Sequence, residues 1–406
     1  MSFSKPVLQR RYDIDWLRVL AILAVFIFHS GRFFDQGGWH VKNATTYFEA
    51  QVWTTFLANW LMPFIFAISG ASLFYALRSR GTGKFIKDKV LRLLVPLIVG
   101  VFSHAMLQVY LERITHRQFF GSFWEFIPHY FQGWYGFGGN FAWMGLHLWY
   151  LLVLFLFSLA CYPLLRWLKD GSGKIVLRQT GNFLAFPGAV YLLAVPVAWL
   201  MGTMKPAGIL GMHDFGGWPL PIYLLFLLYG FILISHDGVQ ERVQRLRWVS
   251  LAAGIICALT LLVLWASKGD PVFGSPRYLQ VNFIFGLSSW CWVLAFFGYG
   301  FKHLANPKPI LAYANEAVLP FYILHQTVLL CVGYFVTQWV IPDPLKFVTI
   351  SISSFIVVIS LYEFLIRRVN ALRFLFGMKV RAKQGVAATV RGVEPASLEF
   401  SESQAK

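Results

Sequence analysis

Apolar runs of about twenty residues recur along the whole chain, separated by short polar or basic stretches. They lie near 14–34, 53–77, 91–111, 145–165, 183–201, 219–235, 248–267, 279–301, 317–340 and 346–366. At about 1.5 Å of rise per residue, twenty helical residues cross the roughly 30 Å of bilayer hydrocarbon. The runs are apolar on every face and lack the two-residue alternation of barrel strands, so helices are the structure that satisfies their backbone in lipid. The pattern predicts an all-α polytopic integral membrane helical bundle of about ten transmembrane helices, with residues 1–380 as a single membrane domain. Residues 381–406 turn small and polar and read as a disordered cytoplasmic tail.

Composition agrees with the pattern. Of the 406 residues, 57% are hydrophobic and 13% charged, which excludes a water-soluble globule, and the 40 Phe, 17 Tyr and 16 Trp exclude a disordered or nucleic-acid-binding chain. The net charge of +17 is then a topology signal. One set of alternate connecting segments, the two termini included, carries 26 Lys and Arg and the other set 8, which predicts cytoplasmic termini. Asp13, Asp15 and Arg18 interrupt the first run and no small-residue cleavage site follows, so it reads as an uncleaved span. Cys161, Cys257, Cys291 and Cys331 sit inside apolar runs as small core residues. No ligand spacing for a metal is present, and no phosphate-binding loop or nucleophile elbow. The aromatic stretch 112–144 suits the headgroup level or the wall of a substrate cleft.

Ionisable groups at membrane depth cost several kcal/mol and call for a function or a partner. Arg18 and His29, eleven residues apart, are separated on a helix by about 16 Å of rise and only about 20° of rotation, and so share one stripe. Asp15, one turn before Arg18, is placed to pair with its guanidinium. Alone, Arg18 reads equally well as a snorkelling anchor and His29 as a packing histidine; together they favour function, with a fixed cation for an anion and an imidazole for a proton. Lys89 and Arg92 share a face where the third run begins, serving topology and fit to hold a phosphate. His147 and Trp149 open the fourth run and read first as interfacial belt residues. The ninth run contains Asn315, Glu316, Pro320, Tyr322 and His325. Glu316 and His325, nine residues apart, fall on opposite faces of a straight helix and are separate candidates. Glu363 pairs naturally with the basic residues that follow it.

These residues resemble a known family. Asp15-x-x-Arg18 followed after ten residues by His29 is similar to the first-span signature of the membrane acyltransferase-3 family. The run Phe64-Ile-Phe-Ala-Ile-Ser69-Gly70, then Lys89-x-x-Arg92 and Pro96, and the late Tyr322-x-x-His325 resemble its other conserved segments. Trp39-His40-Val41 and His147-Leu148-Trp149-Tyr150 add to the likeness, which covers residues 12 to about 380. The resemblance implies a multi-pass enzyme of the bacterial inner membrane that moves an acyl group, succinyl or acetyl, from a cytoplasmic acyl-coenzyme A to a hydroxyl of a periplasmic glucan or other glycan. It implies His29 and Arg18 as catalytic residues. Asp15, Lys89, Arg92, His147, Trp149, Glu316, Tyr322 and His325 become substrate-binding candidates. The donor, succinyl-CoA or acetyl-CoA, is a substrate, and no permanently bound cofactor, metal or nucleic acid is expected; the partners are donor, glycan acceptor and membrane lipid. One departure is plain: the family usually has Arg where this chain has Lys89, and Lys lacks the bidentate fork.

Two further readings stay open at this stage. A transporter of a glycan or organic anion would use Arg18 for cargo and His29 for protons, although no internal repeat is visible. A scaffold subunit would use the polar residues as helix glue. A succinyl donor would need one more cation for its free carboxylate, for which Arg32 and Lys42 are the outward candidates.

Overall fold

The computed structural model describes residues 10–78, 81–205 and 217–381. Among the described residues, six helices are long and apolar enough to cross a membrane: Tyr12–Gly31, Phe48–Leu77, Arg247–Ser267, Pro276–His303, Pro309–Val336 and Asp343–Ile366. Four bent pairs supply the other spans when each pair counts as one: Thr82–Val101 with His104–Thr115, Leu146–Ala160 with Tyr162–Asp170, Lys174–Leu184 with Ala189–Thr203, and Leu220–Ser235 with Asp237–Arg245. Numbered along the chain, these are the first to tenth spans, and each overlaps one of the ten apolar runs. Among the described residues there is no strand, only an isolated bridge between Trp134 and Phe141. The all-helical membrane bundle is the observed fold; residues 382–406 of the expected tail lie outside the described residues.

The bends were not expected from the apolar runs. In the third span the helix breaks at Phe102–Ser103 and turns by 41°. The fifth and sixth spans carry helices turned by 116° and 103°, so Lys174–Leu184 and Asp237–Arg245 run across the spans rather than along them. Pro187 and Gly188, at φ +80°, explain the first of these sharp turns.

Two features position the interior. The second and sixth spans touch backbone to backbone: a Cβ on Gly70 would lie 1.8 Å from the Leu227 carbonyl oxygen, and one on Gly230 1.8 Å from that of Ala67. Only glycine permits that approach, the usual device for close helix packing in lipid. The first span packs against the second, eighth, ninth and tenth and is therefore central. The seventh span is the opposite case, with 11% of its apolar window buried against 61% for the ninth. Its Trp248, Ile256, Leu259 and Val263 face outward, as lipid contact requires.

The aromatic stretch after the third span folds into a helix, Phe123–Tyr130, opened by a Ser122–Glu125 capping box. The Ser122 backbone N–H holds the Glu125 carboxyl below the usual carboxylate range. Phe126 and Tyr130 pack onto Ala105, Met106 and Val109 of the third span, and Tyr130 donates to the Val101 carbonyl at 2.7 Å. Trp124, Trp134, Phe120 and Phe137 remain exposed, as expected for a headgroup-level surface.

Candidate functional site

A cavity of about 860 Å³ enters the bundle at the end where the first span begins. Its walls come from stripes on antiparallel and parallel neighbours. The first span contributes Asp15, Arg18 and Ile22 at helical spacing, and the second, running back, contributes Ser69, Ser72 and Tyr75. Tyr150 and Leu154 come from the fourth span, and Asn315, Glu316, Leu319 and Tyr322 from the ninth. Lys89 and Arg92 flank the start of a π-helical turn, Val90–Leu94, that precedes Pro96. Proline has no N–H to offer the carbonyl four residues back, which goes with a local rearrangement of the helix there.

The mouth is cationic. Arg10, Arg11, Arg18, Lys89, Arg92, Arg373 and Lys379 line the cavity against Asp15, Asp88 and Glu316. Arg18 Nη1 donates to Asp15 Oδ1 at 3.1 Å and to Asn315 Oδ1 at 3.0 Å, and its Nη2 to Ser72 Oγ at 2.8 Å. Asp15 is shared, since Arg10 Nε reaches its other oxygen at 2.8 Å. Glu316 binds Arg373 Nη2 at 2.8 Å, and Arg373 also donates to the carbonyls of Lys379 and Arg367. Glu316 thus anchors the segment after the tenth span as a wall of the mouth. Glu363 pairs with Arg367 at 2.8 Å, the local pairing expected for it.

Away from the mouth the lining turns apolar, with Ile22, Ile65, Ile68 and Leu151 and the hydroxyl groups of Ser69, Tyr150 and Tyr322, and this inner, blind end stops short of His29 and His325, which are not among the lining residues. One turn beyond Tyr322, His325 meets His29. His325 Nδ1 lies 2.6 Å from the Tyr322 carbonyl, which only accepts, so Nδ1 carries the proton. His325 Nε2 is then the acceptor for His29 Nδ1–H at 2.9 Å, and His29 Nε2 keeps its lone pair for another donor. His325 is fully buried; His29 is partly exposed and lies parallel to Trp39, with ring centroids 6.0 Å apart. Arg18 and His29 both bond to the ninth span, at Asn315 and His325, so the shared stripe faces that helix.

Of the residues singled out from sequence, the structure brings Asp15, Arg18, Lys89, Arg92, Glu316 and Tyr322 to the cavity. His29 and His325 form a pair beyond its blind end. His147 is buried beside them, its ring 5.1 Å from that of His325 and its Nε2 donating to the Ile323 carbonyl at 3.0 Å. Trp149 does not line the cavity; it packs against Phe66 and Tyr223. Glu316 and His325 are separate, as their spacing demanded, because the ninth span stays helical through Pro320.

Sequence reasoning missed Arg373 and Tyr75, and it passed over Tyr150 as a cavity residue. It also offered Arg32 and Lys42 for an acyl carboxylate, and the geometry corrects this. Arg32 Nη1 reaches Asp35 at 2.5 Å and Nη2 the Gly38 carbonyl at 2.6 Å, while Lys42 Nζ reaches Asp35 at 2.8 Å and the Arg32 carbonyl at 2.6 Å. Asp35 is wholly buried, so both cations close the turn after the first span. Burial lowers the Lys42 ammonium pKa, and the bond to Asp35 opposes that shift. A second outward cluster joins His40, Glu112 and Tyr135, with Tyr135 donating to Glu112 at 2.7 Å and Arg113 on the other carboxylate oxygen at 3.0 Å.

Comparison with known proteins gives consistent matches. An acyltransferase domain family matches residues 11–363. Proteins named glucans biosynthesis protein C from Salmonella heidelberg, Salmonella agona and Salmonella dublin are each 22% identical to this chain over 393 residues, covering 94% of it and 98% of the relative. No solved structure matches.

Proposed function

The chain belongs to this acyltransferase domain family as a multi-pass membrane member, and from that premise we propose that it carries an acyl group from a coenzyme A thioester to a hydroxyl of a glycan. The glycan is taken from the relatives, whose name places them in glucan biosynthesis, and succinyl or acetyl is the acyl group proposed. With the termini on the cytoplasmic side, as the asymmetry of Lys and Arg suggests, the cationic mouth opens to the cytoplasm and the glycan approaches His29 from the opposite face in the bacterial inner membrane.

In this reading the donor's phosphates rest near Arg18, Lys89 and Arg92, where charge-assisted hydrogen bonds are strongest. Its pantetheine arm follows the cavity and the thioester reaches the blind end. His29 Nε2 takes the proton of the acceptor hydroxyl, the acceptor oxygen bonds to the carbonyl carbon, the C–S bond breaks, and the thiolate leaves with its electron pair and regains the proton. General-base help of this kind contributes typically about 10²–10⁴-fold in rate. His325 positions the base, holding His29 Nδ1 protonated so that Nε2 stays basic.

The single observation that carries the proposal is the order of groups from the mouth inward: cations at the mouth, an apolar inner wall, and beyond it a histidine pair in which His29 Nε2 keeps its lone pair. Membranes containing the protein, incubated with radiolabelled succinyl-CoA or acetyl-CoA and glucan, are expected to yield carbohydrate bearing covalent label. His29→Ala is expected to abolish labelling by about a thousandfold while the protein stays inserted. Normal labelling in that variant would remove the proposal, and uptake of unmodified glycan into vesicles would replace it with transport.

A further inference from the structure

The blind end holds a hydroxyl pair to which the steps above give no task. Ser69 Oγ and Tyr150 Oη are 2.6 Å apart in an otherwise apolar pocket end. Ser69 Oγ also lies 2.9 Å from the Ile65 carbonyl one turn earlier. That carbonyl only accepts, so Ser69 donates to it and Tyr150 donates to Ser69. The Tyr150 ring is fixed by edge contacts with Phe66 at 5.1 Å and Tyr322 at 5.8 Å, while its hydroxyl proton turns freely about the C–O bond. The third hydroxyl at this level, that of Tyr322, is committed to the His147 carbonyl.

The exchange of partners costs little. Ile65 already accepts its helical hydrogen bond, so Ser69 can leave that carbonyl and donate to Tyr150 instead, which releases the Tyr150 proton toward a new acceptor in the cavity. A purely structural pair gluing the second span to the fourth is the competing account. Two things favour chemistry: the pair faces the cavity rather than the helix interface alone, and the Tyr150 ring packs 5.8 Å from that of Tyr322, the residue whose carbonyl anchors His325.

We infer that Tyr150 donates a hydrogen bond to the carbonyl oxygen of the acyl group at the blind end, with Ser69 as the positioning residue that takes over its hydroxyl. The inference rests on the proposal that the thioester donor occupies the cavity. When the acceptor oxygen adds to the carbonyl carbon, the carbonyl π pair moves onto oxygen; when the tetrahedral intermediate collapses, that pair returns and the C–S pair departs on sulfur. Tyr150 keeps its proton throughout. Its bond strengthens as the oxygen becomes anionic, so it lowers the barrier more than it tightens the ground state.

The test compares Tyr150→Phe and Ser69→Ala with the parent protein, using labelled succinyl-CoA or acetyl-CoA for turnover and coenzyme A with its free thiol, which has no carbonyl, for binding. Tyr150→Phe is expected to lower kcat by about a hundredfold, as loss of one oxyanion donor does, with the donor KM within about twofold and free coenzyme A binding unchanged. Ser69→Ala is expected to lower kcat by several-fold, and the double variant to lose no more than Tyr150→Phe alone. If the parent protein neither binds coenzyme A nor transfers label, the donor assignment falls and this inference with it. If the parent does both and Tyr150→Phe keeps its kcat within twofold, only this inference is overturned. Parallel losses of kcat, coenzyme A binding and thermal stability in Tyr150→Phe would likewise overturn it, in favour of helix glue.

Discussion

The two ends of the first span carry the same kind of charge in opposite arrangements. At its far end Arg32 and Lys42 converge on Asp35, which is wholly buried and also accepts from Thr54 at 3.0 Å. Arg32 Nη2 and Lys42 Nζ also donate to backbone carbonyls of the same turn. At its near end Arg18 binds two neutral groups, Asn315 and Ser72, and shares its one carboxylate with Arg10, beside an 860 Å³ cavity. The first set spends its charge on closing a turn. The second holds its charge where a ligand can reach it, and the difference is invisible in a count of basic residues.

The sharpest way to break this comparison is Asp35→Ala. Removing the acid leaves two cations facing each other in a part-buried turn, and loss of one partner from a buried pair costs about 3–5 kcal/mol. Thermal unfolding in detergent should show a large loss of stability, with coenzyme A binding per folded molecule unchanged. A variant as stable as the parent would mean that the outer cluster is not structural.

Arg18→Gln should do the reverse. Its partners are largely neutral and Asp15 keeps Arg10, so unfolding should shift little. Loss of a hydrogen bond from a charged donor to a phosphate removes about 1.5–3 kcal/mol, or roughly tenfold to a hundredfold in affinity for free coenzyme A. Unchanged affinity would take Arg18 out of the proposed donor site.

This contrast also marks how far the chain could be read without coordinates. The spans were legible because twenty apolar residues in lipid have one structural solution, and the stripe of Arg18 and His29 because helical periodicity needs nothing outside one helix. The opposite faces of Glu316 and His325 followed from the same arithmetic. What required coordinates was tertiary. His29 meets His325 only because the first and ninth spans run side by side in the same direction, which no local pattern encodes. Arg373 was hidden among basic residues that serve topology, with no local sign that it folds back onto Glu316. Arg32 and Lys42 misled for a related reason: the acid that saturates both lies between them in sequence, but only the folded turn shows it buried. The break at Phe102–Ser103 lies inside a span-length apolar run and had no proline at the break to announce it, only the polar pair Ser103-His104.

The smallest expected effect belongs to Lys89→Arg, and it tests whether the proposed donor site at the mouth would grip phosphate by shape or by charge alone. Lys89 sits half-buried at the cavity wall with its ammonium 5.4 Å from the Phe85 ring centroid, one helical turn from Arg92. Lysine offers a compact point charge, whereas arginine offers a planar fork that matches two phosphate oxygens and stacks on the same ring. Total charge is conserved by the exchange, so only geometry changes. If the mouth binds phosphate through directed hydrogen bonds, free coenzyme A should bind about two- to fivefold more tightly, a gain of about 0.4–1 kcal/mol, with unfolding unaffected. If affinity stays level, the cations act as a diffuse field, and binding should then weaken steadily with added salt in both forms. A clear loss would show that the longer guanidinium disturbs the π turn at Val90–Leu94, making the backbone there, rather than the side chain, the element that sets the width of the mouth.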